Sequence, residues 1–461
     1  MRATGATELA PPSRRLCGVT TDSRSVEPGN VFVALRGAAH DGHAYVPQAI
    51  ASGAHAVVVE RALDAPDGVG VYRVDDTLSA LGALAALHRR RYDVPLVAIT
   101  GSVGKTSTKE LAAAALLGLG RHTAYTRGNL NNRVGVPMTL FTVGPEHDAA
   151  VIEIGMNVPG EIADLTAMTA PTVGVVTSVA EVHTEGVGGS RASRARRARC
   201  SPGWPRARRP SGTPTSRCSR RTRRRRRRGA GSAMVAGEAA DVRLVRWELD
   251  GLTTRASYRV PSREHPVELA LAMLGEAAAT NAAAALAIAL AIDPARLDEA
   301  AEAIAAVPPH AHRMVPAELS SGLLVIDDTY NASPRSTSAA LETAALLAQA
   351  RGGKLVAVLG DMLELGSHAE RLHAQIGREA IRAGSRALVA CGELMTHAGK
   401  AALSSAMEQR GERAKIVLLR NPEDAADCVR ELARPGDVVL VKGSRGMRME
   451  RVIEALAEEG Q

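Results

Sequence analysis

An apolar run from Val94 to Ile99 leads into Gly101-Ser102-Val103-Gly104-Lys105-Thr106-Ser107, and an Ala/Leu-rich helical pattern opens from Lys109. Strand, glycine loop and helix in that order constrain the fold more than any other feature of the chain, because they belong to a parallel α/β sheet with the loop at a strand's carboxyl end. Gly101 and Gly104 let backbone N–H groups turn toward an anion, and the helix N-terminus adds partial positive charge. Lys105 supplies a point charge, and Thr106 or Ser107 a hydroxyl suited to Mg²⁺. The spacing predicts a nucleoside triphosphate site. The longer G-x-x-x-x-G-K-[ST] form would put glycine where Ile99 stands, so the match is to a shorter T-G-S-x-G-K-T-S form. The competing reading is an ordinary glycine turn ahead of a helix.

Similar alternations organise the rest. Residues 1–95 form a first unit, with Val31 to Leu35 and Ala56 to Val59 as buried strands and a helix from Tyr45 to Ser52. Residues 96–313 form a second, with strands Leu96 to Thr100, Ala149 to Ile154 and Val173 to Ser178. Residues 314–461 form a third, whose strands at Leu323 to Ile326, Leu355 to Leu359, Ala387 to Cys391, Ile416 to Leu419 and Val438 to Val441 predict a doubly wound Rossmann-like domain. The fold class is therefore α/β in three domains: a small N-terminal α/β domain, a central P-loop ATPase-like parallel sheet and the doubly wound third.

Only 2% of the residues are aromatic, so the cores must be packed from Ala, Leu, Val and Ile. Five scattered cysteines without C-x-x-C spacing predict neither a disulfide framework nor a zinc site. The longest apolar run, Ala282 to Ile292, is shorter than a membrane span, and no signal-like segment opens the chain; the expectation is a cytoplasmic protein without membrane insertion. The net charge of +8 would suggest a polyanionic partner, but residues 191–229 hold 17 arginines and no Asp, Glu or Lys, which leaves the remainder net acidic. That basicity belongs to one segment, and 191–231 has the composition of a disordered stretch.

Several clusters fall at the ends of these strands: Thr21-Asp22-Ser23-Arg24, Asp41-Gly42-His43, Asn129-Leu130-Asn131-Asn132, Glu153-Ile154-Gly155-Met156-Asn157 and His183-Thr184-Glu185. Beyond them come Asp327-Asp328-Thr329-Tyr330-Asn331-Ala332, Gly360-Asp361-Met362-Leu363-Glu364-Leu365-Gly366 and Lys442-Gly443-Ser444-Arg445. With the glycine loop they resemble the Mur ligases, the ATP-dependent amide-bond-forming enzymes of peptidoglycan precursor synthesis and cell-wall growth. The last three clusters resemble the branch that adds D-alanyl-D-alanine to UDP-N-acetylmuramoyl-tripeptide.

The resemblance implies an acyl-phosphate route, with ATP and two Mg²⁺ ions as cofactors and those two substrates as partners, in a monomer that binds no nucleic acid. Gly101, Ser102, Val103, Gly104, Lys105, Thr106 and Ser107 would cradle phosphate, while Asn281, Arg313 and Asp328 contact the nucleotide. Thr106, Glu153 and His183 would hold metal, and Lys105, Glu153, His183 and Asn331 would form the catalytic set. Substrate would meet Asp22, Ser23, Arg24, His43, Asn129, Asn132, Tyr330, Lys442, Ser444 and Arg445. Each residue also has a plainer reading: Asp328 and Asn331 as turn caps, Asp361 and Glu364 as helix caps, Lys442 and Arg445 as a solvated helix start.

The chain departs from the family at 191–231. One codon choice for Arg191 to Arg199, read two bases along, gives Val-Ala-Arg-Ala-Lys-Gly-Glu, which resembles the family's sequence around a carbamylated lysine at the second metal site. The segment is thus read as a frameshifted stretch rather than a basic nucleic-acid arm. No lysine stands between Lys109 and Lys354, which puts the second metal site and activity in question. Ala277 and Ser333 stand where the family usually has His and Asn. The alternatives are the Mur ligase that adds the third amino acid, and a nucleotide-binding pseudoenzyme.

Overall fold

The computed structural model describes residues 4–37, 40–156, 158–178, 234–236, 242–261, 263–408 and 413–458. By their contacts the described residues gather into two units, one from 4–100 with 120–174, the other from 101–119 with 175 onward. His183 and the arginine-rich segment lie outside the described residues, and so does Asn157.

In the first unit, strands β1 (Thr7–Ala10), β2 (Val19–Thr20), β3 (Val31–Val33), β4 (Ala56–Val59) and β5 (Gly70–Arg73) form a sheet in the order β1-β5-β4-β3-β2. All neighbours are parallel except β1 and β5. Successive side chains of a strand point to opposite faces, so the continuous apolar runs of β3 and β4 require cover on both sides. Val31, Val33 and Val58 pack toward Leu81 of helix Thr77–Arg89 on one face, while Phe32, Val57 and Val59 pack with Val46 and Ala49 of helix Val46–Ala51 on the other. Further along, β6 (Leu96–Thr100), β7 (Thr123–Tyr125) and β8 (Ala149–Glu153) pair in parallel in the order β6-β8-β7. Thr172, at the entry to β9 (Val173–Val176), donates its N–H to the Leu96 carbonyl. Every residue of β6 and β8 is buried, which explains why each reads as an apolar run up to its polar last residue, Thr100 or Glu153.

The second unit holds β10 (Met234–Ala236) and an antiparallel sheet of β11 (Arg243–Asp250), β12 (Thr253–Arg259) and β13 (Val267–Leu271). Strict strand–helix alternation did not anticipate that sheet. Its signals are the polar-exposed alternation of β11 and the Asp250-Gly251 turn, where Gly251 takes φ +58°. Helix Gly275–Ile292 follows. Among the described residues it is the one helix long and apolar enough to cross a membrane, longer than the apolar run read from sequence, yet 67% of it is buried inside the fold. It packs against helix Lys105–Gly118, which also meets helix Leu297–Ala305. At that second contact a Cβ on Gly118 would stand 2.6 Å from the Glu299 carbonyl oxygen, so only glycine permits the approach.

The same unit closes with a six-stranded sheet of β14 (Val315–Glu318), β15 (Leu324–Asp328), β16 (Leu355–Gly360), β17 (Ser385–Cys391), β18 (Lys415–Leu419) and β19 (Val438–Lys442). Its order is β14-β15-β19-β16-β17-β18, parallel throughout except for β14 at the edge. Helices Pro334–Ala350, Ala369–Arg382 and Met395–Glu408 cover one face, and helices Ala425–Leu432 and Glu450–Glu458 the other. This is the doubly wound architecture expected from the strand spacing. The last strand, β19, inserts between β15 and β16, which puts Asp328 and Lys442 in register at the carboxyl ends of adjacent strands. Open α/β sheets bind ligands at such a switch point.

Candidate active site

The glycine loop is set by backbone geometry that other residues resist. Gly101 has φ +146°, and a Cβ there would lie 2.2 Å from Thr177 Oγ1; Gly104 has φ +89°, and its Cβ would lie 2.7 Å from Asn281 Oδ1. Residues just past β9 pin the loop: Ser102 N–H donates to the Ser178 carbonyl (2.7 Å), Val103 N–H to Ser178 Oγ (3.1 Å), and Thr177 Oγ1 to the Val103 carbonyl (2.7 Å). Lys105 folds back so that its ammonium donates to the Gly101 carbonyl at 2.9 Å. Helix Lys105–Gly118 has no side-chain cap, so its first-turn N–H groups are donors of the kind that bind phosphate.

Arg313 joins this loop to the third sheet. Its Nη2 donates to Thr106 Oγ1 at 3.3 Å, and its guanidinium lies 4.0 Å from the Tyr330 ring centre. The next residue, Met314, donates its N–H to Asp328 Oδ1 at 3.2 Å. Asp328 Oδ2 in turn accepts from the Lys442 ammonium at 2.6 Å, and that ammonium also donates to the Asn331 carbonyl at 2.8 Å. Burial pushes the Asp328 carboxyl above the ordinary carboxylate range, against the opposing pull of Lys442 and Arg313. The structure thus brings together Gly101 to Ser107, Asn281, Arg313, Asp328, Tyr330, Asn331 and Lys442.

Other residues singled out from sequence have structural engagements. Ser444 is buried and its hydroxyl accepts the Leu363 N–H at 2.8 Å, whereas Arg445 is 62% exposed beside Glu450. Asp361 caps helix Met395–Glu408 by accepting the Leu394 and Met395 N–H groups, its plainer reading. Asn132 Oδ1 accepts the N–H groups of Val134 and Gly135 at a helix start, and Asn129 is exposed. His43 is buried with both ring nitrogens engaged. Its Nε2 accepts the Glu60 N–H (2.8 Å), so the proton sits on Nδ1 and donates to Asp41 Oδ1 (2.6 Å). Asp22 accepts four hydrogen bonds from Arg24, which hold its carboxyl down at about 2, and Ser23 donates to Gln48 Oε1.

Glu153, at the end of β8, is 1% exposed. Its Oε1 accepts from Asn131 Nδ2 at 2.8 Å, and its Oε2 has no hydrogen-bond partner among the described residues. A buried carboxylate with one oxygen fixed and the other unsatisfied fits a bound cation. Asn131 was absent from the residues assigned a role from sequence; its signal was its place between Asn129 and Asn132. No group of three His, Cys, Asp or Glu side chains able to hold a metal occurs among the described residues.

Three family models match in succession: the Mur ligase family, catalytic domain, at residues 15–89; the Mur ligase middle domain at 99–193; and the Mur ligase, glutamate ligase domain, at 312–445. The chain belongs to the Mur ligase family, and it is an ATP-dependent ligase. It is 34% identical to the UDP-N-acetylmuramoyl-tripeptide–D-alanyl-D-alanine ligase of Escherichia coli (strain K12), over 98% of this chain and 96% of that one. It is similar to a MurF from Acinetobacter baumannii with TM-score 0.82 and 28% identity, covering 99% of this chain and 97% of the other. A MurF ligase from Thermotoga maritima in complex with ADP shares the fold with TM-score 0.76 at 24% identity, over 97% and 98% of the two chains. The middle-domain match ends at residue 193, where the arginine-rich segment has just begun.

Proposed function

We propose that this chain joins D-alanyl-D-alanine to UDP-N-acetylmuramoyl-tripeptide at the expense of ATP. One observation carries the reading. A continuous set of bonds runs from Thr106 in the glycine loop through Arg313 and Asp328 to Lys442 and Asn331, in a chain aligned nearly end to end with a ligase of that name. The proposal includes domain boundaries near 95 and 313, a monomeric state and a cytoplasmic location.

A carboxylate does not react with an amine at neutral pH until its oxygen becomes a leaving group, and ATP supplies the phosphoryl group that makes it one. Phosphoryl transfer demands positioning and charge neutralisation more than covalent help from the protein. The first-turn N–H groups and Lys105 supply both at the phosphates. Asn281, in contact range of Gly104, and Arg313 fix the nucleotide relative to the loop. Thr106 and Glu153 are each proposed as a Mg²⁺ ligand, as is His183, which lies outside the described residues. Lys442 orders Asp328 and the Asn331 backbone, and the exposed Arg445, 3.5 Å from Glu450, is the cation proposed for a substrate carboxylate.

The test is phosphate release with tripeptide nucleotide and D-alanyl-D-alanine together, with mass spectrometry of the product. Release dependent on both substrates and a product heavier by the dipeptide support the reading. The absence of any lysine from 110 to 353 favours one alternative, a protein that binds nucleotide without turnover. Nucleotide binding without phosphate release would establish that alternative. Sequencing the gene across codons 183–240 is expected to restore Ala-Lys-Gly-Glu in a corrected frame; an intact arginine run would overturn the frameshift reading.

A further inference from the structure

Arg313 reaches Thr106 from an unusual stretch of backbone. His312 has φ +61° and Met314 φ +52°, so two non-glycine residues in the left-handed region flank it. This conformation costs an L-residue roughly 1–2 kcal/mol, and a pair of such residues persists only where surrounding contacts over-determine it. Asp or Asn tolerate it through local hydrogen bonds, and so does His; methionine has no such means.

Beside the Met314 N–H bond to Asp328 Oδ1 and the Arg313 N–H bond to the His310 carbonyl, the contacts that hold this stretch converge on His312. Its Nδ1 lies 2.8 Å from Asp327 Oδ2 and 3.3 Å from Thr329 Oγ1. Thr329 is itself fixed, donating its hydroxyl (2.7 Å) and its N–H (3.1 Å) to Asp327 Oδ1. The His312 carbonyl accepts the Tyr330 N–H at 3.0 Å, and Tyr330 is the ring on which the Arg313 guanidinium lies. Arg313 Nε is buried and has no hydrogen-bond partner among the described residues. The guanidinium is thus held by ring stacking, one long bond to Thr106 and attraction to the Asp328 carboxylate, and its position depends on the backbone that delivers it.

We propose that His312 is a positioning residue for Arg313: its imidazole, clamped by Asp327 and Thr329, locks the left-handed backbone that carries the guanidinium over Tyr330 to the glycine loop. This inference rests on the reading of Arg313 as a nucleotide contact and deepens it by naming what sets the contact.

The test measures ADP affinity by calorimetry on the full chain without acceptor substrates, together with KM for ATP and for each acceptor. Four variants are compared. His312→Ala removes the clamp and keeps the backbone penalty, so ADP binding is expected to weaken about tenfold, with KM for ATP rising in parallel and KM for the acceptors unchanged. His312→Gly removes the clamp and the penalty together and is expected to fall between His312→Ala and wild type. His312→Asn tolerates the left-handed region and keeps a donor toward Asp327, so it is expected to restore most of the affinity. Arg313→Ala tests the underlying reading. If it leaves ADP binding unchanged, both the nucleotide-contact reading and this inference fail. If it weakens binding while all three His312 variants bind like wild type, the inference alone fails. Equal losses in all three His312 variants, or matching rises in every KM, would overturn it in favour of a general structural role.

Discussion

Replacing Lys442 with methionine isolates the ion pair at the switch point of the third sheet. Lys442 is 2% and Asp328 8% exposed, and methionine keeps most of the apolar stem, so charge and hydrogen bonds are what the substitution removes. Asp328 Oδ2 loses its 2.6 Å donor and the Asn331 carbonyl its 2.8 Å donor, while Oδ1 keeps the Met314 N–H at 3.2 Å. A buried charge stripped of its partner costs about 3–5 kcal/mol. The abandoned carbonyl adds about 1–3 kcal/mol that overlaps with this loss, and a total of about 4 kcal/mol is expected. With a urea slope of roughly 2 kcal/mol/M, the midpoint of the transition should fall by about 2 M. A chain of several domains unfolds in more than one step, so the transition is assigned by hydrogen exchange of the β15 and β19 amides. Adding Asp328→Asn to the methionine variant removes the stranded charge and should recover about 2 kcal/mol, a coupling that a double-mutant cycle measures. A cost below about 1 kcal/mol for the single variant, or strict additivity across the cycle, would refute the claim that this pair is desolvated and interdependent.

Gly104→Ala places a methyl 2.7 Å from Asn281 Oδ1 on a residue with φ +89°. It should destabilise the protein by about 1–3 kcal/mol and weaken ADP binding, both measurable by thermal shift with and without nucleotide. Glu153→Gln neutralises a buried carboxylate whose Oε2 is unsatisfied. The melting temperature should hold or rise while ligation falls more than about 100-fold; unchanged ligation would remove Glu153 from the metal set. Asp22 has its carboxyl depressed to about 2 by hydrogen bonds from Arg24. A carboxyl depressed in the folded state contributes stability that is complete above its unfolded value, near 3.8, and is lost as pH falls through about 2. Carboxyl NMR titration should show that low midpoint and its return toward 3.8 in Arg24→Ala.

The sequence by itself determined the parallel sheets and the loop. Leu96 to Thr100 and Ala149 to Ile154 read as strands because both faces are buried and every position but Thr100 and Glu153 is apolar. Gly101 and Gly104 marked the loop because backbone conformation is a local property that glycine alone permits cheaply. The identity of chemical groups at strand ends was equally legible, since strand ends are local too. What a side chain does there depends on which strands become neighbours, and only the tertiary structure decided that. Inserting the last strand, β19, between β15 and β16 put Lys442 against Asp328, distant in sequence, and made a buried ion pair of a lysine that sequence placed at the substrate. The same folding gave Asp361 and Asn132 to helix caps, closed both nitrogens of His43, and brought Asn131 to Glu153. Local propensity is written residue by residue, whereas a hydrogen bond across a fold exists only once burial has removed the competing water.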